Sequence, residues 1–503
     1  MKKKLISILV ALPLLITGCA VAPAATPAAV ADVSAALTPF YSQTLTWKTC
    51  GDIKCATIKA PLNWDAPSMS SAITLALNYA PSTGAADKGW LLENPGGPGG
   101  SGVDFVKGGG AQMGSETLRK HYNVVGFDPR GVGSSSKVVC LNAAQTDKFL
   151  YDPTPGAIGS TTEFNANVAA VKAFATACKK NTGALLGHVD TTSAARDLDL
   201  IRALLGESKL NYLGFSYGTF LGATYAALYP QNVGRFVLDG AIDPTVSDED
   251  SNAYQLKAFD TALHNYLNNC LTVGKTTCPF SGSVDNAMAT ITAFYRKLET
   301  TSIKTTLGRK LQLPGAITGL IMTLYSNDYW KYTSAAFSSA FKGDGTLFLE
   351  LADAYNDRNN DGTYASNMLE ANMAINCLDG RSNPSKAAMN AQNARLAKLS
   401  PFFGRYWRNG ALGCASWPYK LVPGPANYSA AGSGPIIVVG TTGDPATPYW
   451  EAQNLANKIL ANGHLITFNG EGHTAYGRSN SCVVDAVDAY LVNGIVPVKD
   501  PNC

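Results

Sequence analysis

The chain has 503 residues, 46% of them hydrophobic and 15% charged, with a formal net charge of +3, so it can bury a large core. That length fits one large domain with an insertion, or two to three domains. After the N-terminus no Lys/Arg-rich run occurs, so no nucleic-acid partner is expected, and no later stretch is apolar and long enough for a transmembrane helix.

Residues 1–18 read as a targeting segment. Met1-Lys2-Lys3-Lys4 supplies its positive start, and Leu5 to Ile16 an apolar run short for a bilayer. It ends in Ile16-Thr17-Gly18-Cys19, which resembles the bacterial lipoprotein box, with cleavage before Cys19 and a lipid on its thiol. An ordinary secretory signal is the alternative. Residues 19–40 are rich in Ala, Pro and Val and read as a flexible tether. The expected location is therefore outside the cytoplasm, either anchored to the envelope through Cys19 or secreted, with no other membrane contact.

Cysteine usage agrees with export. Beside Cys19, ten of the 11 cysteines remain, an even number in an oxidising compartment. Sequence leaves connectivity open, but proximity suggests Cys50–Cys55, Cys140–Cys178, Cys270–Cys278, Cys377–Cys414 and Cys482–Cys503. Zinc is the rival use, and without a C-x-x-C pair no metal is expected.

Residues 41–250 read as the first part of a parallel-sheet core. Ile73 to Tyr79 alternates as a half-buried strand does, and Trp90-Leu91-Leu92 is a short buried strand. It runs into Glu93-Asn94-Pro95-Gly96-Gly97-Pro98-Gly99-Gly100-Ser101-Gly102, a loop whose glycines let backbone N–H groups approach a ligand. Tyr122 to Phe127 is the next strand, followed by Asp128-Pro129-Arg130, expected to pair with each other or brace nearby loops. Thr192-Ser193 is expected to cap a helix through Leu198, Ile201, Leu204 and Leu205. Strand, crossover helix, strand marks a parallel sheet.

Leu210 to Pro230 then reads as strand, sharp turn and small-residue helix, with Gly214-Phe215-Ser216-Tyr217-Gly218 at the turn. This is G-x-S-x-G in the strand–turn–helix setting that makes its serine a nucleophile above a helix N-terminus. Arg235 to Leu238 is another strand, ending at Asp239.

From 251 to 428 helical periodicity takes over, as in a cap or lid inserted over the sheet. Asp357 to Gly362 has the start of a calcium loop, but Met368 stands where a bidentate Glu belongs, so a solvated turn is expected. Residues 429–503 return to the core. Pro435 to Val439 leads to Gly443-Asp444-Pro445-Ala446-Thr447-Pro448, and His464 to Phe468 to Gly472-His473.

A serine needs a base, itself oriented by a carboxylate. Of five histidines, His473 alone follows a late core strand in a Gly-rich loop. Asp444 follows the preceding strand and is the expected acid, with Asp239 the rival. The order Ser216, Asp444, His473 is that of α/β-hydrolases. The backbone N–H of Tyr217 is the expected first oxyanion donor and Gly97 the second, with Gly96 next.

Together, these motifs resemble the secreted tripeptidyl-aminopeptidase and proline-iminopeptidase group of α/β-hydrolases, from about Thr44 to a C-terminal portion like that group's TAP-like domain. The resemblance implies an α/β-hydrolase fold: a mostly parallel sheet flanked by helices, with a mainly helical cap. It implies a serine exopeptidase without cofactor that releases short peptides, tripeptides among them, from free peptide N-termini. It also implies acidic cap residues that hold the substrate ammonium, for which Glu370 and Asp379, near Cys377, are the candidates. Asn94-Pro95 stands where many proline iminopeptidases carry His-Gly, which argues against single-proline release. A carboxylic-ester hydrolase with the same triad is the alternative. A monomer is expected.

Overall fold

The structure, a computed structural model, describes residues 33–110, 114–274, 276–380, 384–498 and 500–503; the targeting segment and Cys19 lie outside them. Its centre is a sheet of nine strands: β1 (Lys48–Cys50), β2 (Ile53–Ala60), β3 (Ile73–Ala80), β4 (Trp90–Asn94), β5 (Asn123–Phe127), β6 (Leu210–Phe215), β7 (Val233–Asp239), β8 (Ile436–Gly443) and β9 (Gly463–Glu471). The order across the sheet is β1-β2-β3-β5-β4-β6-β7-β8-β9. The first three strands and the β3–β5 pair are antiparallel, and every pair from β5 to β9 is parallel.

The parallel strands are nearly continuous apolar runs because both of their faces are covered. Chain order reverses between β4 and β6, which are direct neighbours, and loops leave the carboxyl ends of both into one crevice. Register places Asn94 beside Gly214 and Phe215 beside Asp239, so the glycine-rich loop, the elbow and the Asp239 turn begin at one level.

The longer helices are α1 (Ala143–Tyr151), α2 (Thr161–Thr182), α3 (Thr191–Leu204), α4 (Tyr217–Leu228), α5 (Asp248–Thr272), α6 (Val284–Leu298), α7 (Leu313–Leu324), α8 (Trp330–Phe341), α9 (Thr346–Tyr355), α10 (Met368–Asp379), α11 (Lys386–Leu399), α12 (Tyr449–Asn454) and α13 (Ser481–Asn493). α3 and α4 pack on one face of the sheet through Leu198, Ile201, Leu221 and Tyr225; α13 covers the other through Val483, Val487 and Leu491. α5 to α9 close around a second core of Leu256, Phe259, Tyr295, Leu320, Phe337 and Phe348. Two elements cross between these bodies. Tyr151 of α1 enters the helical core, while Ala371, Ala374, Ile375 and Leu378 of α10 pack with the sheet.

α3 is capped two residues before its Thr192-Ser193 pair, by Asp190. Asp190 accepts the Ser193 N–H at 2.8 Å, and the Thr191 hydroxyl is turned instead to Tyr217 and Asp379. Asp128 and Arg130 brace the fold separately and do not pair with each other. The Asp128 carboxylate takes the Ser101 hydroxyl and the N–H groups of Val103 and Ser134. Arg130, fully buried, forks onto Asp197 at 2.6 and 2.7 Å and donates to three backbone carbonyls. At 357–362 the chain makes a turn in which the Asp361 carboxylate is taken by the N–H and hydroxyl of Thr363. Cysteines pair as proximity suggested: Cys50–Cys55, Cys140–Cys178, Cys270–Cys278, Cys377–Cys414 and Cys482–Cys503. No helix among the described residues is long and apolar enough to cross a membrane.

Candidate active site

Ser216 sits between β6 and α4 with φ 55° and ψ −125°, a backbone state costly for any residue with a side chain. The flanking glycines make the turn possible. A Cβ on Gly214 would stand 2.5 Å from the Gly218 carbonyl oxygen, and one on Gly218 would stand 2.7 Å from that of Asn94. The turn is then pinned from both sides. Ser216 donates its N–H to the Asp239 carbonyl at 2.9 Å, and Thr219 returns its N–H and hydroxyl to the Ser216 carbonyl.

The glycine-rich loop lies directly on this turn. A Cβ on Gly96 would meet the Phe215 carbonyl oxygen at 2.4 Å and the Tyr217 nitrogen at 3.0 Å. The N–H of Gly96 is consumed by the Asn94 side chain at 2.9 Å. Those of Gly97 and Tyr217 have no acceptor among the described residues. Of the two glycines considered as donor, Gly97 is thus the one whose N–H is available.

His473 follows β9, and its Nδ1 lies 2.9 and 3.0 Å from the two oxygens of Asp444. Asp444, only 3% exposed, also accepts N–H groups from Ala446, Thr447 and Thr474. With Nδ1 so engaged, Nε2 is the ring nitrogen left for proton exchange. The imidazole packs over Gly240, where a Cβ would stand 3.1 Å from its Cε1, one residue beyond the carbonyl that holds Ser216. The rival acid Asp239 serves the same loop differently. Its carboxylate accepts the N–H groups of Ala475 and Tyr476, and burial pushes it up to about 6 against that hydrogen bonding. No cluster of three or more metal-ligating side chains occurs among the described residues.

Serine at a strained elbow, two available N–H groups and a His–Asp pair, all at one edge of a parallel sheet, are the parts of an acyl-transfer centre. Comparison with known proteins decides the family. An alpha/beta hydrolase fold model matches residues 89–277, and the TAP-like protein model matches 400–503. Serine protease Hip1 of Mycobacterium tuberculosis is 35% identical over 93% of this chain and 90% of its own. The chain is a serine hydrolase of the α/β-hydrolase family. Carboxylesterase B of M. tuberculosis is 34% identical over 92% of this chain and 91% of its own. Tripeptidyl aminopeptidase of Streptomyces coelicolor is 31% identical over 91% and 84%.

In this hydrolase the two acidic cap candidates lie at opposite ends of α10 and are not brought together. Glu370 is buried beside a cavity walled by Lys137, Val139 and Tyr364, and its carboxyl, raised by burial, takes the Leu141 N–H. Asp379 lines a separate cavity with Thr224, Pro244 and Tyr428. It accepts the N–H and hydroxyl of Thr191, whose hydroxyl also meets the Tyr217 hydroxyl.

Several further residues serve the site. Thr447 donates to Asp444 at 3.0 Å and lies 3.3 Å from Nδ1 of His473. Its place three residues after Asp444 was a readable signal, since such a residue closes an Asx-type turn. Tyr325 accepts the His473 N–H at 2.8 Å, and Arg478 donates to the carbonyls of both residues. These last two contacts join distant segments and leave no local mark.

Proposed function

We propose that this hydrolase is an exported exopeptidase that releases short peptides, tripeptides foremost, from free peptide N-termini. Ser216 Oγ attacks the scissile carbonyl carbon while His473 Nε2 takes its proton. The N–H groups of Gly97 and Tyr217 hold the oxyanion, and Asp444 keeps the imidazole oriented. His473 passes the proton to the leaving amine, the C–N bond breaks, and water then cleaves the acyl-enzyme by the reverse relay.

The observation that carries the exopeptidase reading is the setting of Asp379. Burial pushes its carboxyl up to about 7, and among the described residues its hydrogen-bond partners are neutral. A substrate ammonium would supply the missing positive charge. Through Thr191 it is held at a fixed span from the residue after Ser216, as a receptor that measures peptide length requires. Glu370, with a lysine in the same cavity wall, is the second candidate. The five disulfides support an oxidising compartment, with Cys19 as the proposed lipid anchor.

Mass spectrometry of a peptide library, free and N-acetylated, incubated with native enzyme and with Ser216→Ala, tests the reading. Tripeptides should leave only free N-termini and only with native enzyme, and Asp379→Asn should raise KM at least about tenfold. The similarity to a carboxylesterase favours the second reading, ester hydrolysis. Uncut libraries beside a hydrolysed short-chain aryl ester would establish it instead.

A further inference from the structure

The proton relay fixes where the departing half of a substrate must lie. The imidazole nitrogen that protonates the leaving amine has to touch it. Asp444 holds Nδ1, so the leaving group lies against the Nε2 side of His473 and whatever neighbours that ring. The neighbour from the helical cap is Tyr325, at the end of α7. Its ring meets the imidazole edge to face, with centroids 5.6 Å apart and planes at 78°. Beside it stands Tyr355, closing α9, with ring centroids 5.9 Å apart and hydroxyl oxygens separated by 3.4 Å.

Tyr355 is 41% exposed although it borders the tyrosine that packs on the His473 imidazole. The cap core of Leu320, Phe337 and Phe348 is closed without it. The opposite wall of the site is different in kind. There Met368, Ala371 and Asn372 of α10 lie on Gly97 and Gly99, and Asn372 donates to the Pro98 carbonyl at 3.0 Å. The acyl half thus meets a packed polar-backbone wall, and the leaving half meets two aromatic faces.

We propose that Tyr325 and Tyr355 form the subsite for the first residue of the leaving group and favour an aromatic or large apolar side chain there. This rests on the acyl-enzyme reading of Ser216 and His473, but on neither the peptidase nor the esterase form of it. An amine that attacks the acyl-enzyme enters where the leaving amine departed. Its nitrogen bonds to the acyl carbon, the ester bond to Ser216 Oγ breaks, and its proton reaches Oγ through His473. Partitioning of the acyl-enzyme between water and amine therefore reads this subsite apart from the acylation rate.

The experiment generates the acyl-enzyme from an aryl ester or a tripeptide nitroanilide and measures the amide-to-acid ratio with phenylalaninamide and glycinamide. Native enzyme should favour phenylalaninamide by about tenfold, the size of one aromatic contact. Tyr355→Ala should reduce that preference to about twofold, and Tyr355→Phe should retain it. A native preference near one, or one that survives Tyr355→Ala, overturns the subsite. If neither donor turns over, or Ser216→Ala turns them over equally, the acyl-enzyme reading fails and the subsite with it.

Discussion

A carboxyl buried in a sheet without donors has to keep its proton, and Glu93 is in that position. It is the penultimate residue of β4, in register with Gly126 and Leu213, is 1% exposed, and neither of its oxygens has a hydrogen-bond partner among the described residues. Burial alone pushes it up to about 8. Asp239 is as deeply buried, but two backbone N–H groups hold it to about 6. The difference between them is hydrogen bonding, not depth. Because the folded value of Glu93 lies above the ordinary 4.5, folding takes up a proton between those limits. Stability is therefore full below pH 4.5 and is lost as pH rises through about 8. Glu93→Gln removes only the ionisation. It should melt close to native enzyme at pH 4.5 and be the more stable by on the order of 4 kcal/mol at pH 9. Parallel melting curves at both pH values would refute a neutral Glu93.

At the scale of elements, the elbow and the glycine-rich loop behave as one piece, because each excludes side chains from the other. Gly96 has φ +91°, and a Cβ there would overlap the Phe215 carbonyl and press on Ser216 and Tyr217. Gly96→Ala should cost at least about 100-fold in kcat by displacing both proposed oxyanion donors, with KM changing much less. A kcat within threefold of native would mean the loop can retreat. This dependence on absent side chains explains why the candidate site left so clear a mark in the sequence. G-x-S-x-G and the Gly-Pro run record contacts between near neighbours, and Asp444 and His473 each follow an apolar strand by a few residues. The cap of α3 misled because Thr192 and Ser193 are good capping residues in isolation, whereas Asp190 wins the bond once Thr191 turns to Asp379. α2, although 22 residues long, buries only Phe174, Ala175 and Cys178, too sparse a pattern to announce a helix. α10 lies in the sequence among cap helices yet packs on the sheet, and only a tertiary contact such as Met368 over Gly97 reveals it.

Across the whole molecule the five disulfides constrain chain loops of very different size. Cys140–Cys178 and Cys377–Cys414 close 38 and 37 residues, whereas Cys50–Cys55 closes five within the β1–β2 hairpin. The long links also join separate parts of the fold. The first ties α2 to the segment leading from β5 to α1, and the second ties α10, with Asp379 two residues beyond Cys377, to the stretch before β8. Loop-closure entropy then ranks them. Removing the Cys140–Cys178 link by alanine at both positions should cost about 4 kcal/mol, and removing Cys50–Cys55 about 2 kcal/mol. Loss of Cys377–Cys414 should match the larger figure and also raise KM for peptides with free N-termini, because it frees the end of the helix that carries the proposed ammonium receptor. Urea midpoints of the three double variants, with peptide KM measured in parallel, check the ranking. Equal midpoints would remove loop entropy as the cause. An unchanged KM in Cys377→Ala with Cys414→Ala would show that the sheet-facing side chains Ala371, Ala374, Ile375 and Leu378 hold α10 in place unaided.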